Sequence, residues 1–100
     1  MLPDAGPRFE REYGCSEREW LSWMPAATHG RPWSQTGPDS MAVQFGEGQL
    51  LIGWQALPPR VIALLRVPRL LVRFDFQHVA EPERLAFQRA FDMRMQRGGG

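Results

Sequence analysis

Few side chains in this sequence are of types that could work together as acids, bases, nucleophiles or ligands. Cys15 is the single cysteine, and His29 and His78 are the only histidines. A zinc or iron site needs three or four Cys, His or acid ligands at workable spacing, and this set does not supply them. A Cys–His nucleophile pair needs an available thiolate and an acid to orient the base. Cys15 has a structural task instead, described below. The acid pairs Glu10/Glu12, Glu17/Glu19 and Glu81/Glu83 fall near solvated chain or helix ends, so no buried general acid is expected. No G-x-S-x-G, Walker or dinucleotide-binding pattern occurs. Gly46-Glu47-Gly48 follows a strand pattern but opens no helix, so it is not a phosphate loop. The chain is therefore expected to be no enzyme and to carry no metal and no cofactor.

The basic residues are the second chemical feature. All twelve are arginine, and the chain lacks lysine and asparagine. Residues 1–50 hold four arginines against seven acids, and residues 51–100 hold eight against four. Arg60, Arg66, Arg69 and Arg73 follow one another with no acid between them, near Trp54, Phe74 and Phe76. Arginine forks match phosphate, and aromatics on a sheet can stack bases. An arginine-rich sheet surface for single-stranded nucleic acid or another polyanion is thus one alternative. A GC-rich bacterial coding sequence would produce the same Arg-for-Lys composition without selection for phosphate. The pI near 8.0 is below the basic footprint of such domains. The ending Arg97-Gly98-Gly99-Gly100 raises a further alternative, since ubiquitin-like sulfur carriers also end in Gly-Gly. There the tail follows a strand, whereas here it follows a helical pattern.

The elements that must position these residues are legible in part. One hundred residues make a single domain with one core. Residues 1–12 read as a flexible arm. Ser16 and Glu19 stand in the spacing of a capping box, with Cys15 and Trp20 as its hydrophobic staple. This predicts a short helix over 16–24, stopped by Pro25. Residues 25–40, PAATHGRPWSQTGPDS, read as a long loop in which His29, Arg31 and Trp33 are candidate recognition residues. Met41, Val43 and Phe45 alternate, as do Leu50, Ile52 and Trp54, across a three-residue Gly46–Gly48 turn; this is a hairpin. Leu57-Pro58-Pro59 interrupts the sheet. The apolar run 61–65 is assigned to a strand buried on both faces, in preference to a short helix. Leu70, Val72, Phe74 and Phe76 define the inner face of the next strand. Residues 82–97 form a second helix, with Pro82 at its start, Gly98 as its cap and Ala86, Phe87, Ala90, Phe91, Met93 and Met95 toward the sheet. Arg94 lies within that face, at the rim of a pocket or snorkelling past it. Residues 98–100 are a flexible glycine tail.

Together these predict an α+β fold: a small antiparallel sheet of three or four strands, a C-terminal helix packed on one face and a short N-terminal helix. The expected role is a non-enzymatic module that binds another protein, because Trp, Phe and Arg are the residue types enriched at interface hot spots. The candidate surface is Arg60, Arg66, Arg69, Arg73 and Arg94 with His29, Arg31 and Trp33. Homodimerisation through an open sheet edge is a further expectation. No run is long and apolar enough to span a bilayer, so no membrane partner is expected. The lone cysteine and the absence of an apolar leader at the N-terminus favour the cytoplasm.

The segments Trp54…Leu57-Pro58-Pro59-Arg60…Ile62-Ala63-Leu64…Arg66…Pro68 and Phe91-Asp92…Met95-Gln96-Arg97-Gly98-Gly99-Gly100 resemble a family of short bacterial proteins of unassigned function. The resemblance covers about the C-terminal half. It implies a bacterial, cytoplasmic setting and no particular chemistry.

Overall fold

The alternation of Leu70, Val72, Phe74 and Phe76 is realised at the centre of an antiparallel sheet. The computed structural model describes residues 6–96. In chain order these form β1 (Arg8–Tyr13), α1 (Glu17–Ala27), β2 (Trp33–Gly37), β3 (Ser40–Phe45), β4 (Gly48–Ile62), β5 (Leu65–Gln77) and α2 (Glu81–Gln96). The sheet order is β1-β5-β4-β3-β2, with every neighbouring pair antiparallel. Strands β2 to β5 form a meander, and α1 carries the chain from β1 at one edge to β2 at the other. Both helices lie on the same sheet face. The fold is α+β as expected, but five strands replace three or four.

The two additional strands come from segments expected to be irregular. In β1, Phe9, Arg11 and Tyr13 pair with Phe74, Val72 and Leu70 and share their face. Charged residues at Arg8, Glu10, Arg11 and Glu12 mask this period, because an edge strand with one solvated face tolerates them. The expected flexible arm therefore stops before residue 8, and residues 1–5 lie outside the described chain. In the expected loop 25–40, residues 33–37 pair with β3. Pro32 and Pro38 bound this strand and do not interrupt it, a position that proline tolerates at a sheet edge.

Helix α1 begins as its capping box requires. The Ser16 amide donates to Glu19 Oε1 at 2.9 Å, and the Glu19 amide donates to Ser16 Oγ at 3.2 Å. It runs through Pro25 to Ala27 and does not stop before the proline. Only one turn remains there, and buried Thr28 closes it: its hydroxyl donates to the Met24 carbonyl at 2.8 Å. Helix α2 buries Arg84, Phe87, Gln88, Phe91 and Met95, an i, i+3, i+4, i+7, i+11 stripe. Ala86 and Met93 are exposed, contrary to the predicted face. The long stems of Arg84 and Gln88 fill the stripe where small alanines would leave gaps. The expected Gly98 cap and the 98–100 tail lie outside the described residues.

The core is an aromatic layer between sheet and helices. Phe91 is fully buried, and its ring centroid lies 5.5 Å from Phe74, 5.9 Å from Trp20 and 6.4 Å from Tyr13. Phe87 meets Phe45 at 5.1 Å. The expected hairpin, β3 with β4, forms with Phe45 opposite Gly48, leaving a two-residue loop in place of the expected three, with Gly46 at φ +60. Gly48 lies inside β4, where any Cβ would collide with the carbonyl oxygens of Gln77 and His78.

The larger departure is at the far end of β4 and β5. Leu57-Pro58-Pro59 does not interrupt the sheet. The register passes from Leu57–Arg69 to Arg60–Val67, a bulge of one extra residue in β4, with Pro68 facing it. Among the described residues, β3 pairs with β4 no farther than Gly53, and β1 pairs with β5 no farther than Leu70. Beyond those points each strand has one neighbour, and proline is tolerated on such a strand and at a bulge. The run 61–65 is the tip of this two-stranded arm. Ile62 pairs with Leu65 around Ala63-Leu64, with Ala63 at φ +54. The run expected to be buried on both faces is exposed on both.

Phe91→Ala should destabilise the fold by about 3–5 kcal/mol, the range for truncating a buried aromatic. Chemical denaturation would measure it, and an unchanged midpoint would contradict this packing.

Candidate functional site

The chain's arginines acquire partners once β1 is in place. Its register sets Glu10 opposite Arg73 and Glu12 opposite Leu71, one step from Arg69. Arg73 Nε donates to Glu10 Oε2 at 3.0 Å. Arg69 clasps Glu12 with both prongs, Nε to Oε2 and Nη2 to Oε1, each at 3.0 Å. Its third nitrogen, Nη1, reaches the Pro58 carbonyl at 3.3 Å and so ties the bulge to the sheet. Arg60 Nη2 lies 3.8 Å from the same Glu12 carboxylate. The fork from Arg69 is the main reason that Glu12 titrates below its usual range, with charge attraction from Arg69 and Arg60 adding to it. Arg66 alone of the four makes no ion pair among the described residues. The acid-free run of arginines in the sequence is thus largely neutralised in space.

Aromatics do not accompany these arginines. Phe74 and Phe76 are buried beneath the helices, as the alternation requires. Trp54 faces the same way and donates its Nε1 to Glu17 at 2.7 Å.

The other candidate residues lie elsewhere. Arg31 donates to Glu83 Oε2 at 3.2 Å and stands 4.0 Å over the Phe45 ring. Trp33 is half-buried on β2 and packs against the core. His29 is exposed at φ +54, just past the end of α1. Arg94 shares a shallow groove of about 200 Å³ with His29, Ala90 and Met93, and its Nε is buried without a hydrogen-bond partner among the described residues. These residues and the arm arginines do not form one constellation.

Burial pushes the Cys15 thiol up to about 11, with the Glu19 carboxylate adding to the effect. Burial likewise raises the Tyr13 phenol. Neither group is poised to ionise near neutral pH. Among the described residues, no cluster of three or more His, Cys, Asp or Glu could hold a metal ion.

The surface feature that the sequence did not reveal is the arm tip. Val61, Ile62, Leu64 and Leu65 are exposed, Leu64 by 99%. Of the exposed large apolar residues among those described, only Met93 lies outside this tip. One signal was present: Pro58 and Pro68, and Arg60 and Arg66, are mirrored about Ala63, as the two arms of a hairpin would be. Among the described residues, no helix is long and apolar enough to cross a membrane.

No protein-family model matches this sequence, and no curated protein is significantly similar to it.

Two measurements test the electrostatics. Arg69→Ala should leave the melting temperature nearly unchanged, because surface ion pairs contribute little, while the Glu12 pKa rises toward its ordinary value. The Glu12 pKa is lowered by folding, so its contribution is complete above the unfolded-state pKa and is lost as pH falls through the folded value. A carboxyl NMR titration reads the shift, and no change in Glu12 would refute the pairing. Separately, Cys15 should resist an aromatic disulfide reagent at pH 8 in the native protein and react fully in denaturant; rapid native labelling would contradict its burial.

Proposed function

We propose that this protein is a non-enzymatic binding module and that the hairpin arm is its contact element. One observation carries this reading: the exposed aliphatic surface is concentrated at the end of a projection held clear of the core. Scattered exposed hydrophobics are ordinary, but a cluster at one protruding point marks an interaction site. The arm is also built to hold its position. Arg69 bridges Glu12 on β1 to the Pro58 carbonyl at the bulge, and a ladder continues to Ile62–Leu65. A rigid projection loses less conformational entropy on binding.

Support for a nucleic-acid surface is weaker, since Arg60, Arg69 and Arg73 face Glu10 and Glu12 and the neighbouring aromatics are buried. The expectation of a protein partner drew on aromatic content, but Trp20 and Trp54 serve the core. What the arm offers is aliphatic.

The test is a photoreactive amino acid placed at position 64 and, as a control, at the half-exposed position 93 on α2. Irradiation in cells should give adducts from position 64 and none from position 93. Equal yields at both positions, or none at either, would remove the arm as the contact element.

A further inference from the structure

We infer that the arm is an anchor for an anionic membrane surface. In this arrangement Val61, Ile62, Leu64 and Leu65 enter the boundary between headgroups and acyl chains, and Arg60 and Arg66 contact lipid phosphates. The inference rests on the reading of the arm as contact element and names the partner class.

Four features of the arm support it. The first is chemical. Between Arg60 and Arg66 every side chain is aliphatic, with no hydroxyl, amide or ring. Such a surface can be solvated by lipid but offers little to a specific protein interface, which relies on aromatic anchors and hydrogen bonds. The second is size. Four exposed side chains fall far short of the roughly 20–30 residues per side that a standard protein interface uses. Interfacial insertion needs no such area, because its strength scales with buried apolar surface plus attraction to anionic lipid.

The third is depth. Arg60 and Arg66 flank the tip, one on each strand, and Arg60 is three residues from Ala63. At the strand rise of about 3.3 Å per residue, the tip extends about 7–10 Å past the arginines. That matches the roughly 5–10 Å to which interfacial segments bury. The turn backbone stays within reach of water and headgroups, and the arm's inward amides and carbonyls are paired along the register that runs from Arg60–Val67 to Ile62–Leu65.

The fourth is charge. No acid occurs between Glu47 and Asp75. The carboxylate nearest the arm's base is Glu12, which Arg69 holds in a two-pronged hydrogen bond. Arg66, with no ion pair among the described residues, and Arg60, at the long end of its contact with Glu12, are the cations left for phosphate. Among the described residues no helix is long and apolar enough to cross a membrane, and contact with the surface needs none.

The experiment is sedimentation with vesicles of phosphatidylcholine alone and of phosphatidylcholine containing about one third phosphatidylglycerol, at low and physiological salt. The protein should bind the anionic vesicles at least about tenfold more tightly than the neutral ones, and more weakly as salt rises. Leu64→Asp should reduce binding about tenfold or more, Arg66→Gln about fivefold, and Met93→Asp, on α2, not at all. Leu64 and Met93 are both exposed, so neither change should disturb folding, and circular dichroism checks this. No binding to anionic vesicles at low salt, or binding that Leu64→Asp leaves intact, would overturn the anchor. If the position-64 probe then gave protein adducts in cells, the arm would remain the contact element with a protein partner. If it gave none, both readings would fall.

Discussion

Phe91 is the point on which the rest of the structure depends. Its ring touches Tyr13 of β1, Trp20 of α1 and Phe74 of β5, so one side chain joins both helices to the sheet. Edge-to-face contacts among aromatics are directional as well as apolar, and they set where each helix lies. Trp20 extends the contact to Trp54, and Phe87 extends it to Phe45 and Phe76. The helices cover the sheet over this aromatic patch. Where β4 and β5 run past it, at 15 and 13 residues against five or six for their neighbours, no described element covers them. The arm is what is left over when two long strands share a sheet with three short ones.

How much of this could be read from the sequence depended on whether a local signal matched the global environment. The capping box at Ser16 and the alternation at Leu70–Phe76 were legible, because propensity and burial agree there. The edge strands were not. β1 is charged on its solvated face, and β2 carries Ser34, Gln35 and Thr36 on a barely buried edge. Neither shows a full apolar period, since one face of each is solvated and only Phe9, Tyr13 and Trp33 pack against the core. The 61–65 run misled for the opposite reason. Its apolar character implied burial, but the turn at Ala63-Leu64 has none of the Gly, Asn or Asp residues that mark hairpin loops. Lone glycines were likewise ambiguous: Gly48 looked like part of a turn and instead permits close approach of Gln77 and His78.

The candidate residues show the same division. Arg60, Arg66, Arg69 and Arg73 looked like one basic patch because charge was counted along the chain. The pairing of β1 with β5 brings Glu10 and Glu12 across from them, and no local pattern predicts that pairing. The arginines then divide into a structural set, Arg69 and Arg73, and a distal set, Arg60 and Arg66, nearer the tip. Arg31 is also drawn into the fold, between Glu83 and the face of Phe45. Arginine content alone could not separate these roles.

The placement of the prolines has a consequence for self-association. A two-stranded ribbon ending in bare aliphatic side chains would ordinarily invite other ribbons to add to its rims and grow into a polymer. Pro58 and Pro59 in one strand and Pro68 in the other supply no amide donor, and the bulge between Leu57 and Arg60 shifts the register of the groups on either side. Another strand finds no continuous ladder to join. The arm can therefore keep an adhesive point in water while its flanks resist the stacking that leads to fibres.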